Sequence, residues 1–189
     1  MHMTRCDWAE NTNELMTHYH DYEWGVPTTD ERETFELMTL EMMQAGLSWQ
    51  TVLNKRANFK TAFANFEVEK VAQFDDNDVA RLLNDAGIIR NRLKIKDTIY
   101  NARQLVKWHA AGKTMNAYLW AFVDDKPVVN RYPSMAEVPA QTPLSQQVSK
   151  ALKKAGFKFV GPTIVQSWLE ALGILDDHLV TCTVNHLSE

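Results

Sequence analysis

Only two cysteines occur in this 189-residue chain, Cys6 and Cys182, one near each end. So small a set excludes a disulfide-built scaffold. It also leaves no Cys-x-x-Cys pair, and His-Glu-x-x-His does not occur, so the zinc motifs of nucleobase deaminases and of zinc proteases are missing. No apolar run is long enough to span a bilayer, and Met1 to Trp8 hold no apolar stretch of a signal peptide. A cytoplasmic protein is therefore expected. In that reducing compartment, metal ligation is a better use for two thiols than a bridge. Alternating strand patterns are almost absent, as are repeats, linkers and low-complexity segments, which leaves an all-α fold.

A hydrophobic content of 45% supports a core, and the length fits one domain, residues 1–189, or a compact pair of helical lobes. The net charge of -4 argues at face value against nucleic acid. Its distribution says more. Ten acids, among them Asp21, Glu23, Glu36 and Glu41, meet only Arg5 and Arg32 between residues 5 and 41. Between Gly87 and Lys113 the sign reverses: Arg90, Arg92, Lys94, Lys96, Arg103, Lys107 and Lys113 face the single Asp97, and Lys150, Lys153, Lys154 and Lys158 form a second basic stretch. Such blocks are either solvated helix faces or a surface that tracks phosphates.

Each cysteine has a histidine at a distance suited to a metal: Cys6 with His20, and Cys182 with His178. Thiolate and imidazole are preferred donors for tetrahedral zinc, and four of them close a site that three would leave open. His178 and Cys182 are four apart, which on a helix puts them on one face. His18 competes with His20, and the alternative is that the thiols and histidines are unrelated.

Glycine stops divide the chain into helices. Thr28 and Glu31 form a capping box for a helix to about Ala45, ended by Gly46. Ser48 caps a helix toward Phe59, and Asp75 caps another on Val79, Leu82 and Leu83, with Gly87 as its stop. A long helix runs from about Asn91 to Ala111, one passes through Val148 and Leu152 to Gly156, and Pro162 starts a last one, Thr163 to Leu172. The hairpin Leu82 to Ile95 joins two helices by a short glycine turn, so its free N–H groups and Arg90, Arg92 and Lys94 suit a DNA phosphate. Glu41 lies among Leu40, Met42 and Met43, where a carboxylate is costly to bury without a partner. It either faces water or serves an aromatic pocket built from the cluster Tyr19 to Gly25 and from Trp49.

Five blocks, His20-Asp21-Tyr22-Glu23-Trp24-Gly25-Val26-Pro27, Leu40-Glu41 through Gln44-Ala45-Gly46-Leu47-Ser48-Trp49, Asp85-Ala86-Gly87-Ile88-Ile89-Arg90, Gly156 to Gly161, and Asp177-His178 with Cys182, closely resemble the bacterial 3-methyladenine DNA glycosylase I family. The resemblance spans nearly the whole chain in order. It implies an all-α helix-hairpin-helix DNA glycosylase fold, with one structural zinc on Cys6, His20, His178 and Cys182 joining the terminal segments. It implies a damaged base held by Glu41, Tyr19 and Trp49 with Trp8 and Trp24 behind, and Gly46 and Leu47 beside the gap left by the flipped nucleotide. DNA contacts are expected from Gly87, Arg90, Arg92, Lys94 and Lys158. The implied reaction is hydrolysis of the N-glycosidic bond of N3-methyladenine in double-stranded alkylated DNA, without lyase activity, by a monomer needing no nucleotide cofactor and no membrane.

Ionised Glu41 is expected to accept from the exocyclic amine, and electron-rich Trp49 to favour a cationic base. Asp124 and Asp125 match no family block and read as solvated turn residues. Where the family commonly has a tyrosine four residues before the zinc histidine, this chain has Met16, which shifts the pocket toward apolar contact. Two other classes remain open on residues alone: a zinc hydrolase with Glu41 as general base, and a non-enzymatic DNA-binding module.

Overall fold

The computed structural model describes residues 4–184. Ten α-helices and one pair of two-residue strands make up its regular structure among these residues. The helices are α1 Glu14–Tyr22, α2 Glu31–Gln44, α3 Trp49–Asn54, α4 Arg56–Ala62, α5 Val68–Ala72, α6 Asp76–Leu83, α7 Arg92–Ala110, α8 Met115–Trp120, α9 Pro143–Lys154 and α10 Pro162–Ala171. The strands, β1 Val128–Val129 and β2 Leu175–Asp176, pair in parallel.

Helix α2 lies at the centre, because every residue from Thr34 to Met43 is buried. A helix buried on all sides must be walled by other elements, and α3, α7, α8 and α10 pack directly on it. Its two acids in that stretch meet opposite fates. Glu36, 1% exposed, is matched by the Arg56 guanidinium at 2.7 Å, with Lys60 at 3.4 Å and Arg32 at 3.5 Å. Glu41, one and a half turns on, has no such cation.

Two apolar clusters result. The main one joins α2 to α4 through α10 by Phe35, Phe59, Leu82, Ile95, Leu105 and Trp168. A smaller one gathers Cys6, Met16, Tyr19, Trp24, Leu53 and Leu179, with Trp8 and Trp49 at its edge. Gly173 lets the two meet. It has φ +66°, and a Cβ there would lie 2.2 Å from the Val26 carbonyl carbon, so only glycine admits the strand after α10 against the segment after α1.

Several local expectations change. The N-cap of α2 is Asp30, whose side chain accepts from Glu33 N at 2.7 Å, not Thr28. Glu31 instead accepts from the backbone N–H groups of Met115 and Asn116, each at 2.8 Å, and so caps the first turn of α8. The helix begun by Ser48 breaks at Lys55 into α3 and α4. Helix α6 stops at Asn84, and Gly87 lies inside the following turn. Helices α1, α5 and α8 are additions to the predicted set. His178 and Cys182 lie in irregular chain, so they do not share a helix face.

The Glu31 carboxylate also receives His109 Nε2 at 2.9 Å, while His109 Nδ1 meets Glu69 at 3.0 Å, tying α2, α5, α7 and α8 at one point. Burial opposes the charge on His109, but the two carboxylates outweigh it and hold its pKa above the ordinary value. The clamp therefore contributes fully below about pH 6.5 and is lost as pH rises through the higher folded value. We expect His109→Asn to lower the melting temperature by about 2–4 °C at pH 6, the equivalent of about 1 kcal/mol, with the deficit shrinking toward pH 9 in scanning calorimetry. A deficit independent of pH would assign the effect to ring packing instead.

Candidate active site and metal centre

Helix α1 is capped by Asn13, whose side chain accepts from Met16 N at 2.9 Å, and this sets Met16 and Tyr19 on its buried face. Ser48 caps α3 in the same way and starts it at Trp49. The Tyr19 and Trp49 rings stand 5.1 Å apart, and Trp8 meets Trp24 edge-on at 5.1 Å. Between them opens a cavity of about 490 Å³, lined also by Glu41 and Gln44 from α2 and by Ser167 and Glu170 from α10. That volume is in the range of small-molecule sites. All five residues expected to hold a base, Trp8, Tyr19, Trp24, Glu41 and Trp49, therefore line one cavity, with Met16 beside them. Asp124 and Asp125 are exposed, both at left-handed φ, and do not line it.

Burial alone pushes the Glu41 carboxyl up to about 8, so in the empty cavity the protonated form is favoured at neutral pH. Tyr19 is raised well above its ordinary value by burial and then by Glu41. Glu170 is raised by burial, then by Asp177, and more weakly by Glu41, while Gln166 Nε2 donates to it at 3.0 Å. The buried Trp49 Nε1–H has no acceptor among the described residues. An aromatic cavity with two reluctant carboxyls and a spare N–H donor is suited to a flat cation that carries an acceptor.

Sequence reasoning missed Gln44, Ser167 and Glu170. For Glu170 the signal was present: it sits between Leu169 and Ala171 on an apolar helix, as Glu41 sits between Leu40 and Met42.

Next to the cavity, the ligand atoms of Cys6, His20 and Cys182 lie within 4.8 Å of one another. His178 is close by, its ring 4.9 Å from that of His20. Both rings are oriented alike: Asp21 holds His20 Nδ1 at 2.9 Å, and Asp176 holds His178 Nδ1 at 2.6 Å. Each aspartate is paired in turn with an arginine, Arg5 at 2.7 Å and Arg131 at 3.1 Å. A carboxylate on Nδ1 fixes the tautomer that leaves Nε2 to bind a metal. The Cys182 thiol, taking a hydrogen bond from Cys6, is pushed down to about 4, and Cys6 is raised correspondingly. The donor set thus fits a divalent thiophilic ion, and His18, exposed and facing Glu23, takes no part in it. None of Cys6, His20 and Cys182 lines the cavity.

The residues expected at DNA divide. Gly46, at φ +82°, and Leu47, 44% exposed, form the turn between α2 and α3. Arg90 and Arg92 are exposed at the hairpin between α6 and α7. Gly87 there permits a close approach, since a Cβ would lie 2.9 Å from Asp85 Oδ1. Lys94 departs from expectation: it is 7% exposed and its ammonium donates to the carbonyls of Ala45 at 2.7 Å and Met43 at 3.1 Å. Lys158 meets Asp97 at 3.2 Å and covers the Tyr100 ring at 4.5 Å. No helix among the described residues is long and apolar enough to cross a membrane.

The methyladenine glycosylase family model matches residues 8–186. The chain is 47% identical over 180 residues to DNA-3-methyladenine glycosylase 1 of Escherichia coli (strain K12), covering 95% of this chain and 96% of that one. The solved 3-methyladenine DNA glycosylase I of Staphylococcus aureus is similar at TM-score 0.92 and 35% identity, over 99% of each chain. A variant of 3-methyladenine DNA glycosylase I solved in complex with 3-methyladenine is similar at TM-score 0.90 and 36% identity, over 96% of this chain and 97% of that one.

A carboxyl whose folded pKa lies above the unfolded value binds its proton more tightly in the native state. Native stability therefore falls as pH climbs from about 4.3, the unfolded value, to about 8. Glutamine carries no such liability. We expect Glu41→Gln to be more stable than the parent by a margin that grows between pH 5 and pH 8, to on the order of 5 kcal/mol, and is level above that. Urea titrations across this range measure the margin, and one that stayed flat would mean that Glu41 ionises freely.

Proposed function

We propose that this chain, which belongs to the methyladenine glycosylase family and excises N3-methyladenine from alkylated DNA as a base-excision repair hydrolase, grips the extruded base between Tyr19 and Trp49 with its polar edge on Glu41. The free base leaves and an abasic site remains. The observation that carries this reading is the Glu41 carboxyl, fully buried, raised to about 8 and without a cation, at the wall of an aromatic cavity.

A base stacked in a duplex cannot reach this cavity, so the nucleotide must swing out, at a cost of a few kcal/mol that is lower for damaged bases. Leu47, exposed at the tip of the turn between α2 and α3, fills the space left behind. The backbone of the Gly87 hairpin, with Arg90 and Arg92, rests on the phosphates of double-stranded DNA. N3-methyladenine is a cation in DNA and hence already a good leaving group, so the protein needs no strong general acid. Its task is selection and placement. The rings favour a cation by about 0.5–2 kcal/mol each where desolvated. Glu41, giving up its proton as the cation enters, accepts from the exocyclic amine and gains a charge-assisted hydrogen bond. Glu170, across the cavity, adds a second acceptor. No lysine lines the cavity among the described residues, so water is the nucleophile and no lyase step follows.

Cys6, His20, Cys182 and His178 would hold one zinc ion, whose contribution with four ligands is structural. It staples the segment after β2 to α1, and with α1 the wall made by Trp8 and Trp24, which pack on His20 and His178. In this reading the whole chain is one domain, acting as a monomer in the cytoplasm.

Glu41→Gln is expected to slow release of N3-methyladenine from methylated duplex at least 100-fold while the helical circular dichroism is unchanged. Parental activity in that variant would remove Glu41 from the mechanism. Cys182→Ser is expected to lower bound zinc and melting temperature together, read by atomic emission and calorimetry, with activity falling as the wall loosens. Loss of zinc with unchanged melting would sink the staple.

A further inference from the structure

Lys94 stands in the first turn of α7, among basic neighbours that face the solvent, yet its side chain points inward. Its ammonium, donating to the carbonyls of Ala45 and Met43, occupies the C-terminal end of α2, where orphan carbonyls and the helix dipole both favour a cation. The next residues are Gly46 and Leu47, then Ser48 and Trp49, so the contact sits at the root of the turn that bears the exposed leucine and leads on to Ser48 and Trp49 of the cavity wall. Two further side chains tie the hairpin turn to the α3–α4 region that follows Leu47. Lys55 Nζ donates to Ala86 O at 3.2 Å, and Asn58 Nδ2 to Gly87 O at 3.1 Å.

We propose that Lys94 is a positioning residue that sets the distance between the phosphate-holding hairpin and Leu47, so that the leucine is at insertion height once the hairpin rests on DNA. This deepens the functional reading above and rests on it. The hairpin and Leu47 must meet two points on one duplex, and a misplacement of about 1 Å at such a site costs on the order of 100-fold. Lys94 spans the two elements with a single side chain: its Cα moves with the hairpin helix and its Nζ with the turn. Lys55 and Asn58 bind the hairpin to α3 and α4, which steadies the far end of the same turn. Lys94 does not touch the base and is not a catalytic residue.

Lys94→Met keeps most of the stem and removes the donor. Binding of free 3-methyladenine, followed by quenching of tryptophan fluorescence, is expected to stay within twofold of the parent, because the cavity is intact. Single-turnover release of base from methylated duplex is expected to slow at least tenfold. Leu47→Ala is expected to slow it as well, and the double variant to be no slower than the worse single one, since both changes remove one event. Should Lys94→Met fail to fold, Lys94→Gln, which keeps a donor on a shorter chain, carries the same comparison. Parental release by the Lys94 variant, penalties that multiply in the double variant, or free-base affinity falling in parallel with release would each overturn the proposal. A parent protein that released no base would instead overturn the functional reading, and this inference with it.

Discussion

One unbalanced carboxyl organises this molecule. Helix α2 is buried on all sides, so an acid on it must find a cation, stay protonated or wait for a ligand. Glu36 takes the first course, with Arg56, Lys60 and Arg32 converging on it. Glu41 does not, and burial lifts it to about 8. The elements around it supply rings rather than charges: Tyr19 from α1, Trp49 from α3, and Trp8 and Trp24 from the chain on either side of α1. A site with that composition loses stability when empty and regains it when a flat cation enters, which is the usual trade between function and stability at a binding site.

Such a wall must be held from behind, because α1 is short and its neighbours are loops. The chain solves this with two matching relays. Arg5 neutralises Asp21, which orients His20; Arg131 neutralises Asp176, which orients His178. The His20 imidazole then faces the thiols of Cys6 and Cys182, with the His178 ring edge-on to it, drawing residues far apart in sequence onto the back of Trp8 and Trp24. The arginines keep the buried aspartates from repelling the thiolate, and the aspartates keep the imidazoles in the ligating tautomer. The thiol–imidazole cluster and the aromatic cavity thus adjoin through the rings of Trp8 and Trp24.

How far this was legible in the sequence depended on whether the decisive partner was local. Asp75 and Ser48 cap the helices they were expected to cap, since a cap acts over three residues. Thr28 and Glu31 had the spacing of a capping box, but Glu31 found better donors in Met115 and Asn116, more than eighty positions away. His178 and Cys182 had helical spacing, yet the chain there is irregular, and geometry comes from Asp176 and the strand pairing instead. Trp24, Glu41 and Trp49 were readable because they lie inside long family blocks, and Tyr19 and Trp8 followed only as what the resemblance implies, whereas the buried setting of Glu170 showed in its apolar neighbours but its place at the cavity needed the fold to bring α10 beside α2. Lys94 failed for a physical reason: in a basic run all ammonium groups look alike, and only the position of the α2 C-terminus distinguishes the one that turns inward.

In the proposed reading, the charge state of Glu41 is what separates a cationic base from a neutral one. Because burial raises it to about 8, the protonated acid predominates at pH 7, and drawing it into the carboxylate form costs free energy. Neutral adenine meets the protonated acid, which offers no ionic attraction, and the rings around it gain no cation interaction. N3-methyladenine brings a charge that more than offsets this cost in a dry cavity, where ion pairs and cation–π contacts are at their strongest. Had Glu41 been paired like Glu36, the carboxylate would already be satisfied and the cation would gain little. Had it been solvent-exposed, water would screen the difference between the two bases. In the proposed reading, discrimination follows from leaving the acid buried and unpaired, and the stability forfeited in the empty state is what would make the site selective.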